Sequence, residues 1–174
     1  WFTDEKAGMN DDQKKTLLKL ARDSIASRFN RGQVDPPAEP EFQQKRGLFV
    51  SLHLEGDLRG CIGLIEARQT IARGVFEMAR EAAFGDPRFP PLRRDELDRL
   101  EIEISVLSEL IPVTDISGIV IGRDGLLLRQ GFRSGVFLPQ VPVEWNWDLH
   151  TYLTQLCRKA GLPDGTWKRD DARL

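Results

Sequence analysis

From Asp12 to Asn30, apolar side chains recur at helical spacing. Leu17, Ala21, Ile25 and Phe29 form one stripe, widened by Leu18 and Leu20, while Lys14, Lys15, Lys19 and Arg22 lie outside it. That pattern predicts an amphipathic helix, capped by Asp11 or Asp12 and ended by Asn30-Arg31-Gly32. Val34 to Pro40, rich in proline and without a period, reads as an extended connector. The period then changes to two. Leu48, Val50, Leu52 and Leu54 alternate with Phe49, Ser51, His53 and Glu55 as a half-buried strand, and Glu55-Gly56-Asp57 turns it into a second strand, Leu58 to Leu64. Ile71, Val75, Met78, Ala79 and Ala82 predict a helix over Thr70–Ala83. The prolines of Gly85–Pro91 make the next stretch irregular, because proline cannot donate to a ladder. Arg93–Leu97 is expected to add one helical turn, and Ile102, Ile104 and Val106 mark a strand. Further strands are predicted at Ile119–Ile121 and Leu126–Arg129, joined as a hairpin by Gly122–Gly125. Leu149, Tyr152, Leu153, Leu156 and Ala160 mark a last helix, capped by Asp148 and stopped by Gly161. Helices and hairpins mixed without regular βαβ alternation favour an α+β fold over a doubly wound sheet.

The chain has 174 residues, which suits one domain. Residues 1–11 are expected to be a frayed or artificially appended terminus ahead of a single domain spanning 12–174. Lys and Arg number 25 against 27 Asp and Glu, a net charge of -2, which argues against a nucleic-acid binder and against a polybasic membrane anchor. No apolar run approaches the ~18–20 residues of a membrane span, and no signal-peptide core is seen. Two cysteines, Cys61 and Cys157, are too few for a disulfide framework, so a reduced, cytoplasmic protein is expected.

The densest candidate chemistry lies in Leu58-Arg59-Gly60-Cys61-Ile62-Gly63. A thiol is intrinsically nucleophilic, a neighbouring guanidinium activates it, and Gly60 and Gly63 let a ligand approach the main chain. The competing reading makes Cys61 a small buried hydrophobe. His53 is the base nearest in sequence, and hairpin register decides its use. A three-residue loop pairs Leu54 with Leu58 and puts His53 on the Cys61 face. A two-residue loop sends it to the other face. The spacing of His53, Cys61, His150 and Cys157 matches no zinc module, and no metal or cofactor is expected. Asp86 and Arg88, displayed on a proline-fixed loop, form a rigid carboxylate–guanidinium arrangement able to orient a small anionic group, or else brace each other. Arg133, Ser134 and Gln140 stand near Trp145 and Trp147, which either line a pocket or seal the core over the last helix. Glu101 and Glu103 share a strand face and read as solubilising.

These residues carry a resemblance. Phe49-Val50-Ser51-Leu52 leading into Leu58–Gly63 resembles the hallmark hexapeptide of the AMMECR domain family. Ala82–Leu92 and Glu103–Leu107 fit the same family in the same order. The run Gly131–Trp147, with Cys157–Pro163, resembles its bacterial branch, AmmeMemoRadiSam system protein A. The resemblance covers roughly Asp12 to Trp167. It implies an α+β fold whose antiparallel strands and helices form a larger and a smaller subdomain with a cleft between them. It also implies a three-component system with a Memo-type protein and a radical S-adenosylmethionine protein, and a functional site at Leu58–Gly63. Members usually continue into another strand, so an end at Leu174 suggests truncation or a short tail.

Two functions follow as expectations. In the first, the protein is an enzyme or enzyme subunit acting on a small molecule or a modified protein, with Cys61 as nucleophile and Arg59 and Arg88 holding an anionic group. In the second it is a non-catalytic adapter for the two partner proteins, with an exposed apolar patch near Phe137 and Trp145.

Overall fold

The computed structural model describes residues 2–3 and 9–174. It divides into two compact units, Trp1–Glu109 and Leu110–Leu174. Of the segment 1–11, Phe2–Thr3 form a short strand, β1, Asn10 caps the first helix and Asp11 begins it. Trp1 and residues 4–8 lie outside the described residues.

In the first unit, α1 (Asp11–Asn30) is capped by Asn10, not by the expected Asp11 or Asp12. The Asn10 side chain accepts from the Gln13 amide at 2.9 Å and the Gln13 side chain accepts from the Asn10 amide at 3.0 Å. This reciprocal box satisfies two donors the helix leaves open. Asn10→Ala is expected to cost about 1 kcal/mol of stability, read as a lower urea midpoint. An unchanged midpoint would show the cap to be idle.

A four-stranded sheet follows: β2 (Leu48–Leu54), β3 (Asp57–Leu64) and β4 (Leu100–Val106) join β1 in the order β1-β4-β2-β3. β2 pairs antiparallel with both β3 and β4, while β1 runs parallel to β4. Leu48, Val50 and Leu52 on β2 and Leu100, Ile102, Ile104 and Val106 on β4 share one face. They are buried with Leu17, Leu20, Ala21 and Ile25 of α1 and with the apolar stripe of α2 (Ile71–Phe84). Both helices therefore cover the same face, and the period-two pattern of β2 is the imprint of that one-sided burial. After α2 the chain is irregular through the prolines, and Arg94–Arg99 form a 3-10 turn before β4.

The β2–β3 hairpin takes the two-residue loop but not the parity expected of it. Glu55 (φ 55°) and Gly56 (φ 89°) make a two-residue turn that pairs Leu54 with Asp57. The register then slips, so that His53 opposes Leu58 but Leu52 opposes Gly60, leaving Arg59 as the extra residue of a bulge. That one residue reverses the parity. Ser51 opposes Cys61, and His53 shares their face despite the short loop.

The second unit holds the hairpin β5 (Leu126–Gln130) and β6 (Arg133–Phe137), the short α3 (Gln140–Glu144) and α4 (Leu149–Lys159). The strand expected at Ile119–Ile121 does not form. Ile116–Gly118 are a 3-10 turn, and Asp124 accepts from the Val120 amide and pairs with Arg123, which closes a turn where a hairpin was expected. β5 pairs instead with β6, across a turn at Gly131 (φ 56°) and a fully exposed Phe132. Gly135 lets β6 close on α4, since a Cβ there would sit 2.8 Å from the Ala160 nitrogen. Tyr152, Leu153, Leu156 and Cys157 of α4 are buried against Leu126 and Leu128. The Asp148 side chain caps α4 at the Thr151 amide as expected. No helix among the described residues is long and apolar enough to cross a membrane.

Candidate functional site

The face of the sheet turned away from the helices carries polar side chains in cross-strand rows. Cys61, Ser51 and Glu103 lie in register across β3, β2 and β4, and His53 and Glu101 form the adjacent row. The Ser51 hydroxyl donates to the Cys61 sulfur at 3.1 Å. Cys61 is half-buried, neither a sealed core thiol nor a free surface one. Such closeness is what a non-hydrogen-bonded antiparallel pair provides, because the two backbones approach there and the side chains stand together.

The Cys61 backbone bonds explain the pairing type. β3 is the edge strand, and the Cys61 peptide points outward. Its N–H is donated to the Asp86 carboxylate at 2.9 Å, and its carbonyl accepts from Arg88 Nη2 at 3.1 Å. Asp86 and Arg88 thus stand where the next strand's acceptor and donor would be, closing an edge otherwise open to pairing. The two also bind each other, Arg88 Nε and Nη2 donating to Asp86 at 3.0 and 2.7 Å, and the Arg88 amide donating to it at 3.1 Å. Asp86 is only 4% exposed. The Arg88 guanidinium holds its carboxyl far below the usual carboxylate range, against the opposing effect of burial and with help from the Cys61 and Arg88 amides. Arg88 is raised chiefly by its bond to Asp86, and among the smaller contributions by the Cys61 side chain. Its guanidinium is half exposed, and Nη1 makes no hydrogen bond among the described residues.

Arg59 turns elsewhere. As the bulged residue it pairs with Glu96 through Nε at 3.0 Å and Nη2 at 3.2 Å, and donates to the carbonyls of Pro90 at 2.8 Å and Pro91 at 3.4 Å. It ties the proline loop to the strand and offers little to a ligand. Gly60 faces α2, where a Cβ would meet the Ala82 carbonyl at 2.1 Å. Gly63 lies under the Phe49 ring, where a Cβ would meet Cδ1 at 2.3 Å. Both glycines serve close packing within the fold where a ligand's approach to the main chain was expected, and the Cys61 amide between them is bound to Asp86.

The remaining candidates belong to the second unit. Arg133 is exposed and donates to the Gly161 carbonyl at 2.6 Å, Ser134 is exposed on β6 opposite Arg129, and Gln140 opens α3. Trp147 packs edge-on to Phe137 and near Tyr152, while Trp145 stacks on it at 6.3 Å and stays 68% exposed. One tryptophan therefore seals the core and the other does not. Cys157 is fully buried. The sequence pattern did not single out Ser51 or Glu96, and it marked Glu103 only as solubilising, whereas Glu103 stands in register with Ser51 and Cys61. Ser51 was recoverable from its period-two partnership with His53, but nothing local announces a bulge or the Arg59–Glu96 pairing across 37 residues.

A sequence model of the AMMECR1 family matches residues 18–174. A protein of Thermococcus gammatolerans is 41% identical over 182 residues, covering 95% of this chain and 87% of its own. One of Methanothermobacter thermautotrophicus is 39% identical, covering 97% and 92%. The crystal structure of the uncharacterized protein PH0010 from Pyrococcus horikoshii superposes with a TM-score of 0.88 at 36% identity, covering 95% of this chain and 88% of that one.

Proposed function

The chain belongs to the AMMECR1 family, and we propose that it is an enzyme or enzyme subunit whose thiol chemistry runs on the outward sheet face at Cys61. The observation that carries this reading is the Ser51 hydroxyl held 3.1 Å from the sulfur of a half-buried cysteine. In it, Cys61 is the nucleophile or covalent carrier, and Ser51 orients the sulfur and stabilises its charge. Arg88 Nη1 receives an anionic group of the substrate, and His53, on the same face, takes or returns a proton. Asp86 positions Arg88 and the Cys61 backbone. Arg133, Ser134 and Gln140 remain secondary binding candidates. The substrate is a small anionic molecule or a modified protein, and the setting is cytoplasmic, alongside a Memo-type and a radical S-adenosylmethionine protein as in the bacterial branch. A second reading, a non-catalytic adapter, is favoured by the exposed apolar side chains of Val120, Val143 and Trp145.

Iodoacetamide labelling followed by peptide mass spectrometry separates the two. Cys61 is expected to react in the folded protein while Cys157 reacts only after unfolding, and Ser51→Ala is expected to slow Cys61 about 3–10-fold through loss of one hydrogen bond. Protection of Cys61 until the protein unfolds would remove the nucleophile. The adapter reading then predicts that Trp145→Ser abolishes association with the partner proteins while Cys61→Ala leaves it intact.

A further inference from the structure

The second unit has a concavity of its own, of about 540 Å³, within the size range of small-molecule sites. One wall is α4, which presents His150, Thr154 and Arg158 four residues apart on one face. The other is the turn after it, where Gly165 (φ 81°) reverses the chain into the 3-10 segment Thr166–Lys168. The two walls are fastened by Arg158, whose Nε and Nη2 donate to Asp164 at 3.0 and 2.8 Å. That pair cancels its own charge. Trp167 is partly buried against the unit's core and offers an apolar surface. Lys168 holds its ammonium 4.8 Å from the centroid of that indole and makes no ion pair among the described residues. The Thr154 hydroxyl makes no hydrogen bond among them either.

An uncancelled cation over an aromatic wall, beside an unbonded hydroxyl, defines a ligand by chemistry. We propose that this concavity binds a small ring-bearing oxyanion, an aryl carboxylate or phosphate monoester. Its charged group meets Lys168 and Thr154, and its ring lies against Trp167. The site is independent of the thiol chemistry at Cys61 and stands or falls separately.

The test is a titration of the ¹⁵N-labelled full chain with benzoate, phenyl phosphate, inorganic phosphate and phenol, followed by amide and indole shifts. Saturable shifts confined to α4, residues 164–168 and the Trp167 indole are expected with at least one aryl anion and not with phenol. Benzoate alone would mark a carboxylate site and phenyl phosphate alone a phosphate site. Inorganic phosphate binding as tightly as the aryl anions would overturn the role of the ring. Lys168→Ala is expected to weaken binding at least about 10-fold, the loss of a charge-assisted hydrogen bond, and Lys168→Arg to retain it. Shifts that never saturate, or equal affinity in Lys168→Ala, would overturn the site.

Discussion

Arg59→Met is expected to lower the free energy of unfolding by about 3–5 kcal/mol, the cost typical of removing one partner from a buried ion pair. The side chains of Arg59 and Glu96 are 12% and 6% exposed. Taking the guanidinium away strands a carboxylate that the Arg59 bond now holds below its usual range. It also removes the donor that satisfies the Pro90 and Pro91 carbonyls. A urea titration measures the loss. Adding Glu96→Gln to Arg59→Met is expected to recover part of it, since the stranded group is then neutral. A single-variant loss below about 1 kcal/mol would place the pair among ordinary surface ion pairs.

Asp86→Asn is expected to cost about 1.5–3 kcal/mol at neutral pH, the range for hydrogen bonds to a charged group, and the penalty should depend on pH in a definite direction. The folded carboxyl is held well below the unfolded value near 3.9. Its contribution is therefore complete above that value and is lost as the pH falls below it toward the folded one. Wild-type stability should decline faster than that of the variant between about pH 4 and pH 2.5, so the difference between the two narrows on acidification. Urea midpoints at pH 7 and pH 2.5 test this. A penalty that stays constant or widens would mean that the bonds of Asp86 do not depend on its charge. Because the same carboxylate holds the Cys61 amide, the variant should also broaden or shift that amide's resonance.

Much of this architecture was readable from local pattern. The stripe from Leu17 to Phe29, the alternation from Leu48 to Leu54 and the Asp148 cap each report a nearby physical demand, and each appears where expected. Amphipathic periodicity survives in sequence because burial on one face must be written residue by residue. The strand at Ile119–Ile121 failed for the same reason in reverse. Three apolar residues carry too little period to outweigh the bonds by which Asp124 closes its own turn. β6 was missed because Gly135, a weak strand former, is required there by the approach of Ala160.

The composition of the candidate site was visible in the hexapeptide and in Asp86 and Arg88, but the roles were not. Sequence placed Arg59 beside Cys61 as an activating cation; the bulge aims it at Glu96. It made Asp86 and Arg88 either a ligand grip or a mutual brace; the two do brace each other, and the fold also makes them a substitute strand for the Cys61 peptide. Ser51 and Cys61 are ten residues apart, and one extra residue at Arg59 decides that their side chains meet. The sequence by itself determined the α+β class, most of the helices and three of the four strands of the main sheet, β2, β3 and β4, because those depend on short-range periodicity; β1 lies in the segment expected to fray. Tertiary structure alone decided which groups face the thiol, because strand parity turns on a single residue and edge pairing on partners 25 and 27 positions away.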